Sequence, residues 1–377
     1  MVSECLSPNT LMSNATAASS YMVRVDDSDE LKDICIKYVP FWNKFGHGDL
    51  QVHKITSAMT NRVYKVQVIE PRKDSLGAHK VLLRLVYPDE LVSFDLDHQN
   101  EVLELLSSYE FSPRLVAAFP GGRIEQWLDG YILCTGSLQN ISLLTSIATI
   151  LGNFHRIVSM VAKESWSRRP IVERTVERWL PHVKVAVQQR GLDVDVDKLY
   201  RAFDIYQKVI AKHAETSQSF SNKVVFCHND LHLKNIVATY TGLHFIDFDY
   251  AGFNYAGYDV ANFFAEMLFC HVDQPPSFKI DESLELSKDL KVLFASVYLS
   301  AATGSNVLPS DSETIDGFLK SVEIHTLGPM LFWSLWGILL AARPDADSDD
   351  FDYLAYSKVK FSLFEKVLEE SGLGYAL

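Results

Sequence analysis

With 377 residues, 47% of them hydrophobic and 22% charged, the chain can bury one large core or two smaller ones. Its 48 acids against 35 bases leave a formal net charge of −13, which argues against a nucleic-acid partner, because counterion-release binding needs clustered Lys and Arg. Such a field draws a small cationic partner, though acidity equally serves solubility.

Residues 1–22 have neither the basic start and apolar run of an export signal nor an Arg for a mitochondrial presequence near the N-terminus, and are expected to be a disordered tail. Strand-like alternation follows at 51–55 and 63–69 around a turn at 57–61, then a β-branched and leucine run at 80–87. Helical spacing at 101–106 gives way to short strands at 114–119 and 123–128 flanking Gly121-Gly122. After Asp129 the period changes. Apolar residues recur at three- and four-residue intervals over 142–158, 172–189, 196–216, 284–302, 315–341 and 353–370. Residues 223–249 are the exception, a small β-insert whose short apolar runs flank the polar loop 228–235. The pattern predicts an α+β chain with a β-rich lobe over 23–129 and a mainly helical lobe over 130–377. The apolar run 330–342 falls short of the roughly 20 residues that span a bilayer, so it reads as a buried core helix and no membrane insertion is expected. Five scattered cysteines, Cys5, Cys35, Cys134, Cys227 and Cys270, contain no Cys-x-x-Cys pair, which fits a reducing, cytoplasmic setting.

The chemistry concentrates in His228-Asn229-Asp230-Leu231-His232-Leu233-Lys234-Asn235, followed twelve residues later by Asp247 in Ile246-Asp247-Phe248-Asp249. Phosphoryl transfer needs a carboxylate near the acceptor hydroxyl, and an oxygen ligand plus a carboxylate to hold Mg²⁺ on the transferred phosphates. Asp230 fits the first task, Asn235 and Asp247 the second, one from each side of a short hairpin. The bland reading is that Asp230 caps a turn and Asp247 ends a strand. A metallohydrolase loop built on His228, Asp230 and His232 is a further alternative; it needs another His cluster, and His244, His271 and His325 show no matching pattern. His228 reads better as a hydrogen-bonded core histidine that fixes the loop.

His-x-Asp-x₄-Asn with a following Ile-Asp-Phe-acid-Tyr resembles the phosphotransferases of protein-kinase-like fold, which include choline, ethanolamine and aminoglycoside kinases. The blocks 226–231, 245–255 and 258–266 are similar to choline/ethanolamine kinases specifically, and the resemblance runs from about Val52 to Phe361. It implies a two-lobed kinase-like fold, with ATP and Mg²⁺ as cofactors and a small amino alcohol as phosphoryl acceptor. The product is then a phosphomonoester for phospholipid head-group synthesis. By the same resemblance Ser57, Ala58, Met59, Thr60, Asn61, Arg62 and Val63 form the phosphate-covering turn. Ser57 and Ala58 stand where the family usually has Gly, which predicts a stiffer turn. Arg84 is expected on the ATP phosphates with Glu101 of the next helix as its partner. Glu125, Gln126, Trp127 and Leu128 resemble the hinge whose backbone reads adenine, and His232 occupies a position that often contacts nucleotide.

For the acceptor, Trp333 and Trp336 lie three apart on one helix face, and Phe351, Tyr353 and Tyr356 follow. Such a stripe is more often core than cage, but the resemblance assigns it to holding a quaternary ammonium by cation–π attraction, about 0.5–2 kcal/mol per contact. Tyr250 and Glu266 complete the pocket, while His271 replaces an aromatic that some choline kinases carry. Met59-Thr60-Asn61 and the aromatic set look closer to choline kinases; Leu231, Lys234 and Asp350-Phe351-Asp352 look closer to ethanolamine kinases. A kinase for another small molecule and a catalytically dead nucleotide-binding scaffold are the rivals. The family resemblance is also compatible with a homodimer.

Overall fold

The computed structural model describes residues 27–55, 62–70, 77–86, 95–272, 276–346 and 349–372. The expected tail over 1–22 and the expected turn residues Ser57, Ala58, Met59, Thr60 and Asn61 lie outside them. Among the described residues, those through Asp129 belong to one compact unit and those from Gly130 onward to a second.

In the first unit, helix α1 (Ser28–Tyr38) starts where the Asp27 carboxylate accepts the Asp29 N–H, and it buries Leu31 and Cys35. Strands β1 (Leu50–Ile55), β2 (Arg62–Val68), β3 (Lys80–Leu85), β4 (Leu115–Phe119) and β5 (Gly122–Gln126) form an antiparallel sheet in the order β1-β2-β3-β5-β4. Alternation along β3 sends Val81, Leu83 and Leu85 into a core shared with Leu31, Cys35 and Trp42. Helix α2 (Leu96–Ser108) is capped by Asp95. Gly122 is required because a Cβ there would run into the Arg84 carbonyl and come within 2.7 Å of the Phe119 ring. The strand expected over 123–128 stops at Gln126. Trp127 leaves the ladder to donate to Asp129 Oδ1 at 3.2 Å, with Lys65 Nζ 4.9 Å over its ring.

In the second unit, β6 (Gly130–Ile132), β8 (Ile236–Thr239) and β9 (Gly242–Phe245) make one antiparallel sheet in the order β6-β8-β9. Strand β7 (Val224–Cys227) pairs instead with β10 (Gly252–Tyr255), and β11 (Phe269–His271) with β12 (Phe278–Ile280). The polar loop 228–235 therefore leaves one small sheet and enters another, held at both ends. Around them lie α3 (Ile141–Val161), α4 (Ile171–Arg190), α5 (Val196–Thr216), α6 (Ala256–Glu266), α7 (Lys288–Thr303), α8 (Ser312–His325), α9 (Leu327–Ala341) and α10 (Tyr353–Glu370). The single helical pattern over 315–341 is thus two helices meeting at Thr326. Pro329, in the first turn of α9, has no N–H for the His325 carbonyl and its ring crowds that group. The helix expected from 284 begins at 288 after a short 3₁₀ turn, where Ser287 Oγ accepts the Leu290 N–H.

Helix α9 is buried along Leu327–Leu340, and packs with α4, α5 and α10 into an extensive core. Among the described residues two stretches, Ile141–Val161 and Ser312–Ala341, are long and apolar enough to cross a membrane by length and composition, and residues 330–340 of the second are buried as expected of a core helix. In the second, 83% of the apolar window is buried inside the unit, the packing of core helices.

Candidate active site

The loop after β7 is clamped by one carboxylate. Asp259, fully buried in the first turn of α6, accepts the His228 N–H at Oδ2 and the Asn229 N–H at Oδ1, both at 2.7 Å. His155 Nε2 lies 2.9 Å from the same Oδ2, and its Nδ1 2.8 Å from the Tyr298 hydroxyl. His155, Cys227 and Asp259 come close enough to hold a metal ion. Both oxygens of Asp259 and both nitrogens of His155 are already hydrogen-bonded, so the cluster serves as a clamp. Asn229 sits in the left-handed region at φ 67°, which Asn tolerates better than most residues. Its amide donates to the Tyr250 and Gly252 carbonyls at 2.9 and 3.1 Å and accepts from Asn254 at 2.8 Å. His228 accepts the Asp230 N–H at Nδ1 and donates from Nε2 to the Ile246 carbonyl at 3.0 Å, while burial lowers its pKa. It is the neutral, loop-fixing histidine that its position suggested. With both nitrogens engaged it has no lone pair for zinc, which removes the metallohydrolase alternative.

Asp230, Asn235 and Asp247 come together at the open end of the β8–β9 hairpin. Asn235 precedes β8, Asp247 follows β9 by two residues, and the Ile246 N–H to Asn235 carbonyl bond at 3.0 Å ties the two chain passages. Asn235 Nδ2 donates to the Asp230 carbonyl at 2.9 Å and to its Oδ2 at 3.2 Å, which leaves the amide oxygen as the free acceptor. Asp247 is held at φ 65°, a conformation that costs a non-glycine residue about 1 kcal/mol or more. Burial, then the charges of Asp247, Glu266 and Asp249, push the Asp230 pKa well above the usual carboxylate range, against the Asn235 hydrogen bond. Carboxylates so crowded favour a cation among them. An Asp247 carboxylate and an Asn235 amide oxygen are hard donors of the kind magnesium takes.

His232 turns inward to cap the turn, its Nδ1 accepting the Lys234 N–H at 3.2 Å with Nε2 3.7 Å from Asp230 Oδ1. Burial takes its pKa down to about 4, so the ring is neutral at pH 7.

An aromatic wall stands beside this loop. Trp333 donates its indole N–H to Asn262 Oδ1 at 2.8 Å, and Asn262 donates in turn to the Leu231 carbonyl at 3.2 Å. Trp336 donates to the Tyr250 hydroxyl at 2.9 Å. The Tyr250–Trp333 and Trp333–Trp336 centroids lie 5.2 and 5.6 Å apart, both edge to face, and Tyr356 is 6.0 Å from Trp336 and 5.4 Å from Phe351. Glu266, at the end of α6, is ion-paired with Lys360 of α10, a side chain with no exposure. Asp259, Asn262 and Lys360 were not singled out from sequence. Lys360 could have been, because it falls on the Tyr353, Tyr356, Ser357, Phe364 face where every other member is buried.

In the first unit, Arg84 is buried in β3 with Nε 3.5 Å from Glu125 Oε1, and the same carboxylate takes Arg123 Nε at 2.7 Å. Glu125, at a position expected to contribute backbone alone, thus also places its carboxylate beside Arg84. Glu101 is exposed on α2. Arg62 and Val63 open β2, opposite Leu85 and Arg84. Glu125 and Gln126 end β5, and Trp127 and Leu128 follow it.

A family model described as choline/ethanolamine kinase matches residues 52–365. "Probable choline kinase 2" of Arabidopsis thaliana is 28% identical over 84% of this chain and 85% of its own length. "Ethanolamine kinase 2" of Homo sapiens is 26% identical over 94% of this chain and 85% of its own. The solved choline kinase of Cryptosporidium parvum Iowa II superposes with a TM-score of 0.79 at 27% identity, covering 91% of this chain and 96% of that one.

Proposed function

The chain belongs to the choline/ethanolamine kinase family, an ATP-dependent phosphotransferase family of protein-kinase-like fold, and on that premise we propose that Asp230, Asn235 and Asp247 phosphorylate a small amino alcohol, with choline preferred to ethanolamine. The observation that carries this reading is the convergence of those three residues at one end of the β8–β9 hairpin, beside the wall of Tyr250, Trp333 and Trp336.

In this reading Asp230 accepts the acceptor's hydroxyl proton as the hydroxyl oxygen bonds to the γ-phosphorus and the bond to ADP breaks, without a covalent enzyme intermediate. Asn235 and Asp247 hold Mg²⁺, which neutralises the charge of the transferred phosphates. Arg84, aligned by Glu125, meets the ATP phosphates together with the turn 57–63, and the backbone of 125–128 reads adenine. Glu101 is read as a partner of Arg84, and His232 as a contact of the nucleotide. The faces of Tyr250, Trp333, Trp336, Phe351 and Tyr356 hold the acceptor's ammonium, and Glu266, ion-paired with Lys360, lines the same pocket. The free thiols of Cys35, Cys134, Cys227 and Cys270 support a reducing, cytoplasmic setting, and the family resemblance extends the reading to a homodimer.

ADP release measured with choline, ethanolamine and an aminoglycoside as acceptors tests this. The expected order is choline, then ethanolamine, with the aminoglycoside at background. Equal ADP release with and without every acceptor would contradict the assignment.

A further inference from the structure

Lys360 lies on the inward face of α10, one turn beyond Tyr356, and its side chain is fully buried. Its ammonium pairs with Glu266 and sits 3.6 Å from the centroid of the Phe269 ring and 5.2 Å from that of Tyr356. A carboxylate together with aromatic faces is the set of contacts that any organic ammonium seeks when it leaves water. One corner of the acceptor pocket therefore already holds an ammonium that belongs to the chain.

We propose that Lys360 is a specificity-determining residue: by occupying the Glu266 carboxylate and the Phe269 face, it denies a primary-ammonium acceptor its directional ion pair and biases the site toward a fully alkylated ammonium. The inference rests on the amino-alcohol kinase reading of this site. A primary ammonium carries three N–H donors that need acceptors once desolvated, whereas a trimethylammonium carries none. Glu266 is the anionic acceptor at this corner, and Lys360 Nζ engages its Oε1. Trp333 and Trp336 spend their N–H groups on Asn262 and Tyr250, so these rings offer an incoming cation their faces. The other charged or titratable groups acting with Glu266 are Asp230, His232 and Lys234 of the loop and Tyr356 of α10. Burial pulls the Lys360 pKa down, while the charges of Glu266 and Asp230 and the Glu266 hydrogen bond pull it back up.

Replacing Lys360 with Met keeps the length and removes the cation. Ethanolamine's ammonium is chemically the group removed and takes up the vacated Glu266 carboxylate; choline has no N–H to do so. The experiment is kcat/KM for choline and for ethanolamine in wild type, Lys360→Met and Lys360→Arg. The choline-to-ethanolamine ratio is expected to fall at least about tenfold in Lys360→Met, through the ethanolamine KM, the scale of one charged hydrogen bond. In Lys360→Arg, which keeps the cation, it stays within about threefold of wild type. A purely structural role lowers both acceptors by the same factor, so an unchanged ratio, or one shifted toward choline, overturns the proposal. Should Lys360→Met not fold, the wild type decides. Its kcat/KM is expected to rise from ethanolamine through N-methyl- and N,N-dimethylethanolamine to choline, and a maximum at ethanolamine overturns the proposal. A wild type that phosphorylates none of the four refutes the amino-alcohol reading itself, and this inference with it.

Discussion

Asp230 is placed where ionisation is costly, buried and facing Asp247, Glu266 and Asp249. Its folded pKa is raised, so its contribution to stability is fully present below the unfolded value near about 4 and is lost as pH rises through the folded one. As a base it must be ionised to act. The acid limb of the kcat/KM profile is therefore expected above the ordinary carboxylate range, and Asp249→Asn, by removing one like charge, moves that limb to lower pH. A limb that stays put in the variant would show that some other group titrates. Asp230→Asn keeps the volume and is expected to lower kcat at least about a hundredfold. Asp247→Asn separates charge from conformation, since Asn accepts the left-handed backbone as readily as Asp. Denaturant stability is expected to hold within about 0.5 kcal/mol while the magnesium activation curve collapses. Trp336 carries two roles, a ring face and an N–H bonded to Tyr250. Trp336→Phe is expected to keep most of the choline kcat/KM and Trp336→Leu to lose about three- to thirtyfold, a difference that a pure packing role would not produce.

At the scale of elements, the site depends on helices that pack without spacers. A Cβ at Gly337 of α9 would lie 2.8 Å from the Tyr353 carbonyl and 3.0 Å from Ser357 Cβ on α10. Gly337→Ala is expected to destabilise by about 1–3 kcal/mol and to raise the acceptor KM more than the ATP KM, because α10 carries Tyr356 and Lys360. Asp259→Asn leaves one loop N–H facing an amide N–H₂, for a loss of about 2–4 kcal/mol in denaturant unfolding. Elements with a strong period, such as β2, β3, α4 and α5, could be read from sequence to within a residue or two. Strands β6, β11 and β12 could not, because three residues show no period. The continuous apolar pattern over 315–341 hid a helix junction, since hydrophobicity carries on across Thr326 while the backbone ladder is interrupted by Pro329.

For the whole molecule, net charge and site charge share a sign. A cationic acceptor is steered by the field of a −13 protein, so its kcat/KM is expected to fall as ionic strength rises from about 0.01 to 0.15 M and the Debye length shrinks from about 30 to 8 Å. The kcat/KM for ATP, an anion, does not fall with it; a parallel decline would point to a general salt effect on the enzyme. The motif 228–235 with Asp247 was legible because its residues are close in sequence. Asp259 reaches the loop from about thirty residues away and Lys360 meets Glu266 across 94, and such pairings follow from the tertiary packing alone. The central claim is transfer of phosphate to an amino-alcohol hydroxyl at Asp230, and ³¹P NMR of the enzyme with ATP, magnesium and choline or ethanolamine tests it most directly. A phosphomonoester resonance is expected to grow in step with ADP and to be absent on the same timescale with Asp230→Asn. Growth of inorganic phosphate alone, or an equal phosphomonoester yield from the variant, would contradict it.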